Sequence, residues 1–343
     1  MSEGSAEPWL LLTNDDGVDS PALPLLLASP PAYPYLDPTT GTMQDANGYW
    51  CDASYSLREL EQAKVYANPG VVEDSTSTGT TGDGLSAVFL DVPHTTGTGP
   101  NRLMLVSVAI ANDSAQQRTV SSVTYGGVPL SPRGSVMAAT GGGGDGSTTY
   151  ARPRVEIFAL ADPPPGTATV RLTLSGTKAF VVGVTTFTGA DISNGLVSAL
   201  GSFASASNTF GTTQSVNVTT TAGQLVYDAV AAGVNARNNT ADPSAFTVGA
   251  GQDDLWTQFA RSEDGTRDRH VRAAGSIEKA TGTPTTMSWT TTTSYPWAIG
   301  AVPVRPAPAI KNDQTGILLA RDPASGDHHV CFVRMSIAGG VLA

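Results

Sequence analysis

From about residue 84 to residue 307 the chain reads as strand, turn, strand, turn, with no interval that is both long and periodic enough for an amphipathic helix. The strand-like runs are SAVFLDV (86–92), RLMLVSVAI (102–110), SSVTYGGVPL (121–130), RVEIFALA (154–161), ATVRLTLS (168–175), AFVVGVTTF (179–187), QSVNVTT (214–220), QLVYDAVAAGV (224–234), DLWTQFAR (254–261), HVRAAGSIEK (270–279), TTMSWTTT (285–292) and WAIGAVPVR (297–305). Some alternate with a period of two, as Val170, Leu172 and Leu174 do, which suits a sheet with one wet face. Others, such as AFVVGV, are apolar at every position and belong in the middle of a sheet. Short strands without crossover helices exclude a parallel α/β topology and point to an antiparallel sandwich or barrel. Composition agrees: 37 Gly, 23 Pro and a charged fraction of only 14% favour short strands joined by many turns.

The expected fold class is therefore all-β, an antiparallel β-sandwich of jelly-roll or immunoglobulin-like type over residues 84–307. An irregular N-terminal head (1–74), a linker (75–83) and a C-terminal hairpin extension (308–343) flank it. The head opens with WLLLTNDDG, a continuously apolar strand running into a turn. Pro21, Pro24 and SPPAYPYLDP (29–38) then interrupt any long helix. SLRELEQAKVYANPG (56–70) is the best helical stretch, with Ser56 and Glu59 spaced as a capping box and Asn-Pro-Gly as a stop. STSTGTTGDG (75–84) reads as a polar, glycine-rich linker and GGGGDGS (141–147) as a loop tip. In the tail, GILLARD, PASGD and HHVCFVRM spell a hairpin, which needs a docking partner because a lone ribbon is marginal.

Nineteen basic against thirty acidic residues leave a net charge of −11, which repels phosphate backbones and anionic lipid surfaces. Neither nucleic acid nor membrane insertion is expected: no apolar run approaches the roughly 18 residues needed to span a bilayer. The acidic opening MSEGSAEPW does not have the form of a secretory signal, and ALPLLLAS (22–29) is short and broken by Pro24. The only cysteines, Cys51 and Cys331, lie on opposite flanks of the β region. They form either a disulfide tying the two ends together in an oxidising compartment or two free thiols.

NRLMLVSVAI, SSVTYGGVPL, VEIFALADPPPGTATVRLTLSG, VVGVTTFTGAD, LVYDAV and WAIGAVPV resemble the β-sandwich module of bacterial surface and phage-associated proteins, over about residues 84–307. The resemblance implies a module used for assembly or adhesion and transfers no catalytic constellation. Separately, LLLTNDDGVDSPAL (10–23) is similar to the opening of the SurE-type survival-protein nucleotidases. That likeness implies Asp15 and Asp16 as ligands of Mg or Mn with Asn14 beside them, hard oxygen donors at a strand's carboxyl end. The sequence departs from the family at Ala22, where a glycine is usual, and has neither the Gln-Ser-Gly nor the Ser-Gly-Asn segment that completes the metal site.

Other candidates come from the residues themselves. Asp253, Asp254, Glu263, Asp264 and Asp268 supply carboxylates for a calcium loop, or else a solvated loop with internal charge pairing. Trp256, Trp289 and Trp297 provide either an aromatic face for glycans or core packing. The four histidines, His94, His270, His328 and His329, do not spell a zinc site, since adjacent residues on a strand point to opposite faces. No Gly-X-Ser-X-Gly strand-to-helix turn marks a serine nucleophile. The leading expectation is a non-enzymatic subunit of an extracellular filament, appendage or virion, without a resident cofactor, that partners with copies of itself through strand-like extensions. A glycan-binding or adhesive module and a metal-dependent nucleotidase are the two alternatives.

Overall fold

The computed structural model describes residues 70–82, 85–139, 151–236, 243–262 and 268–308, together with short backbone segments in the terminal portions. The chain divides into two compact units, Asn68–Pro308 and the terminal portions Met1–Ala67 with Ala309–Ala343. In the terminal unit, β1 (Tyr35–Leu36), β2 (Met43–Gln44) and β3 (Trp50–Cys51) form one small antiparallel sheet. The predicted helix over 56–70 lies, except for Gly70, outside the described residues, as does the loop tip at 141–147.

The central unit begins with β4 (Val72–Thr80), β5 (Ala87–Thr96), β6 (Leu103–Ile110), β7 (Val120–Tyr125) and β8 (Val128–Pro129). It continues with β9 (Ser131–Met137), β10 (Arg154–Ala161), β11 (Gly166–Lys178) and β12 (Phe180–Thr188). These make two antiparallel sheets, ordered β4-β12-β6-β10-β9 and β5-β11-β7-β8. Met104, Val106, Val108 and Ile110 of β6, with Phe180, Val182 and Val184 of β12, meet Val92, Val123, Tyr125, Val170, Leu172 and Leu174 of the facing sheet. SSVTYGGVPL is a hairpin turning on Gly126 (φ 56°) and Gly127 (φ 88°), both in the left-handed region that a two-residue turn requires.

A second sandwich follows. After α1 (Gly195–Ala199) come β13 (Ala204–Val218), β14 (Leu225–Ala236), β15 (Thr247–Val248), β16 (Asp253–Ser262), β17 (Asp268–Lys279) and β18 (Thr285–Val304). The order is β13-β18-β14-β17-β16, with β15 pairing β18. β13 and β18 each serve two layers. Ala204 to Asn208 pair with Ala301 to Trp297 beside β14, while Thr213 to Val218 pair with Thr290 to Thr285. Between those halves the register shifts around Gly211, and the distal half closes over the sheet's other face. There Val216, Val218, Met287 and Trp289 pack on Val226, Val230, Ala274 and Ile299.

The two sandwiches share one topology. β13 takes the places of β4 and β5, β18 those of β12 and β11, β14 that of β6, β17 that of β10, β16 that of β9 and β15 that of β7. They meet through their five-stranded sheets: Leu103, Leu105, Val155, Ile157 and Val181 cluster with Tyr227, Ala229, Ala231, Ala273 and Val302. The first five-stranded sheet is therefore covered on both faces, which is why all eight residues of LMLVSVAI are buried.

Several expectations require correction. Ser75 to Thr80 belong to the edge strand β4 rather than to a linker, since hydroxyl-rich residues pair through their backbone on a half-exposed edge. SPRGSVM (131–137) is strand β9, the runs at 285–292 and 297–305 belong to one strand, and α1 was not foreseen. In the terminal unit β19 (Gln314–Arg321) and β20 (His328–Met335) pair antiparallel, and β21 (Ile337–Ala338) pairs with β22 (Val341–Leu342).

The Trp256 ring lies against Gly183 of β12 and Gly275 of β17, in the space a Cβ would take at either glycine. Gly183→Val is expected to destabilise the protein by about 1–3 kcal/mol or more through overpacking, measured as a lowered urea midpoint with unchanged m-value.

Candidate functional site

Asp15 and Asp16, with Asn14, lie outside the described residues. Cys51 stands opposite Met43 on β3 and Cys331 opposite Leu318 on β20, in segments described by their backbone only, so their pairing lies outside the described residues too. His328 and His329 stand opposite Arg321 and Ala320 on the same ribbon.

The proposed calcium loop does not form as one site. Asp253 and Asp254 open β16, with Asp253 opposite Ile277, whereas Asp268 stands opposite Ala236 at the far end of β17. Nine or so residues of strand, roughly 30 Å, separate them. Glu263 and Asp264 lie outside the described residues. The glycan-facing tryptophans are corrected as well: Trp256, Trp289 and Trp297 are 5%, 1% and 6% exposed and belong to the cores. Strands with two covered faces need large side chains on both. Among the described residues no three His, Cys, Asp or Glu side chains gather as a metal site requires, and no helix is long and apolar enough to cross a membrane.

What the fold does gather is three buried polar clusters. The first crosslinks the two sheets of the first sandwich. His94 on β5, 1% exposed, has Nδ1 2.9 Å from Ser77 Oγ, and Nε2 3.2 Å from both Ser75 Oγ and Thr186 Oγ1. Thr186 donates to Asp74 Oδ2 (3.0 Å), which also accepts the Gly97 amide (2.7 Å). Burial pushes the His94 pKa down from its ordinary value, with the Asp74 charge opposing. Ser75 and His94 have the spacing of a nucleophile and base, but Ser75 Oγ donates to the Thr95 carbonyl at 2.5 Å and the second ring nitrogen meets Ser77 instead of a carboxylate. The ring is a neutral strut between β4 and β5.

The second cluster surrounds Asp113, just past β6. Its Oδ1 accepts the Ala115 and Gln116 amides (2.8 and 2.6 Å), and its Oδ2 takes the Lys178 ammonium (2.9 Å) and an ion pair from Arg269. Burial works against the Asp113 anion, but the Lys178 hydrogen bond and the surrounding positive charges hold its pKa below the ordinary value. Burial pushes Lys178 down despite Asp113, and the like charges of Arg269 and Arg118 add to the effect. This cluster joins β6, β11 and β17, hence both sandwiches.

The third cluster lies in the second sandwich. Asp228 of β14, fully buried, accepts the Ser276 amide (2.9 Å) and hydroxyl (2.7 Å) on Oδ1 and the Trp289 indole (2.8 Å) on Oδ2. Gln252 donates to Ser276 Oγ (2.7 Å) and accepts the Ser288 amide (2.7 Å). Burial pushes the Asp228 carboxyl up to about 7, against the hydrogen bonds from Ser276 and Trp289. Sequence reasoning passed over this residue, although a lone carboxylate inside QLVYDAVAAGV was the visible signal. Asp113 offered no such signal, since Lys178 is 65 residues away in sequence.

Removing one partner of a buried ion pair strands the other. Asp113→Ala is expected to cost about 3–5 kcal/mol in urea unfolding, and adding Lys178→Met to that variant to recover part of the loss. For Asp228, the folded carboxyl keeps its proton to about pH 7 while its ordinary value is 3.8. Its contribution is therefore fully present below the unfolded value and lost as pH rises through that window. The wild type should lose stability relative to Asp228→Asn as pH is raised from about 4 to about 7, read from denaturation midpoints. Comparison with known proteins finds no matching family model, no similar curated protein and no similar solved structure.

Proposed function

We propose that the chain is a non-enzymatic structural subunit that acts by self-assembly, as part of an extracellular filament, appendage or virion, through strand segments outside its central unit. The observation that carries this reading is the division of the chain. Residues 68–308 are one compact unit, and the segments on either side belong to another that includes the ribbon β19–β20. A two-stranded ribbon gains stability only by docking. Strand segments can add to the open sheet edge of another copy through main-chain hydrogen bonds, and a head-to-tail contact of that kind grows without closing. The central unit also exposes apolar side chains at the start of β5, with Leu85 61% and Phe89 55% exposed beside Val88, a surface that a neighbouring copy would cover.

Electron microscopy of the purified chain over a range of concentrations should show regular polymer. Deleting residues 309–343 should abolish the polymer while leaving cooperative thermal unfolding intact. Discrete particles from the full chain, or normal polymer from the truncated one, would rule the proposal out.

A further inference from the structure

We propose that the face joining the two sandwiches is a self-recognition surface: each sandwich is built to bind one of its own kind, and the chain is a two-fold dimer fused into a single polypeptide.

The likeness of the two halves extends from strand order to register. In the first sandwich Ile110 stands opposite Phe180 on one side and Arg154 on the other. In the second, Ala232 stands opposite Trp297 and Arg272. Residues 103–110 thus correspond to 225–232, 154–161 to 272–279 and 180–184 to 297–301, which superposes Leu103 on Leu225, Ala109 on Ala231, Arg154 on Arg272 and Gly183 on Gly300. The edge strands match down to an irregularity. β9 is bulged where Ile157 and Phe158 oppose Gly134 and Pro132, and β16 is bulged where Gly275 and Ser276 oppose Trp256 and Asp254.

The contacts between the halves obey the same exchange. β4 meets β16, as β13 meets β9; β12 meets β16, as β18 meets β9. β12 meets β17, as β18 meets β10, and β10 meets β14, as β17 meets β6. The corresponding strands β6 and β14 meet each other, as elements on a two-fold axis must. Strand contacts that exchange in pairs in this way have the isologous form of a symmetric dimer, and α1 against β10 lies outside the exchange.

The closest packing in the interface repeats as well. Gly183 and its counterpart Gly300 each leave a socket in the central part of a sheet. Over Gly183 sits Trp256 of β16. The residue corresponding to Trp256 is Gly134, which has no ring to offer, and there Phe203, from the connector before β13, fills the space against both Gly134 and Gly300. One socket is plugged from the edge strand of the other sandwich, and the equivalent one from the connector.

The test exchanges the plugs in the full-length chain. Phe203→Ala should lower the melting temperature by several degrees, and Gly134→Trp added to it should restore more than half of that loss by refilling the socket from the strand position Trp256 holds. A double variant that recovers less than half of that loss overturns the proposal. As a second measurement, protease sites placed before Gly70, between Ser193 and Asn194, and after Pro308 are cut after the intact protein has folded. The two sandwiches should co-elute as a one-to-one complex, and their separation on cutting overturns the proposal independently of how the variants fold.

Discussion

A β-sheet whose three central strands, β6, β10 and β12, have water on neither face organises the central unit. The sheet β4-β12-β6-β10-β9 packs on β5-β11-β7-β8 through one face and on β13-β18-β14-β17-β16 through the other. Side chains alternate across a strand, so a half-wet strand can put its polar residues on one face, and a twice-covered one cannot. The polar groups that remain in it therefore need internal partners. Ser107 meets the Tyr227 hydroxyl at 2.8 Å across the interface, and burial pushes that phenol up to about 12. Two sheets also approach more closely where side chains are small, so Gly183 and Gly300 hold rings that any Cβ would displace.

Buried polar clusters mark the seams where layers are tied together. His94 ties β5 to β4 and β12 through three hydroxyls. Asp113 draws on strands from both sandwiches. Asp228 accepts from Ser276 on β17 and from Trp289 on the folded-over half of β18, so the observed closure of the second sandwich satisfies three donors at one carboxyl. Gln252 repeats the tie by bridging Ser276 and Ser288. Each group would be costly if left alone in a low dielectric, so the alternatives to the observed layering are penalised even where apolar packing would tolerate them.

Legibility in the sequence followed how far a residue's role is local. LMLVSVAI announces a central strand because burial on both faces writes itself as an unbroken apolar run, and ATVRLTLS announces a surface sheet by alternation. β4 and β9 were silent for the opposite reason: edge strands rich in Ser, Thr, Gly and Pro pair through the backbone, and their side chains carry no period. The tryptophans were legible as core or ligand face alike, because a strand pattern does not say how many of its faces are covered. The polar clusters joined residues distant in sequence and could not be read at all, apart from the isolated Asp228. The shared topology was masked because β4 and β5 are separate strands where β13 is continuous, as are β11 and β12 where β18 is continuous.

A sandwich that presented the face of β6, β10 and β12 to water would expose a large contiguous apolar patch, which monomeric proteins avoid. Covering it with a second copy of the same topology removes the patch from both at once. A covalent connector keeps the two at high effective concentration, so the pair needs no free partner to stay closed. α1 and the residues after it are held to the second sandwich by Arg305, which donates to the Val197, Ser198 and Leu200 carbonyls, so the connector is itself part of the packed structure. With that face consumed internally, the surfaces left exposed on the central unit include the apolar side chains at the start of β5. The contact between the sandwiches thus removes the face of β6, β10 and β12 from any further association.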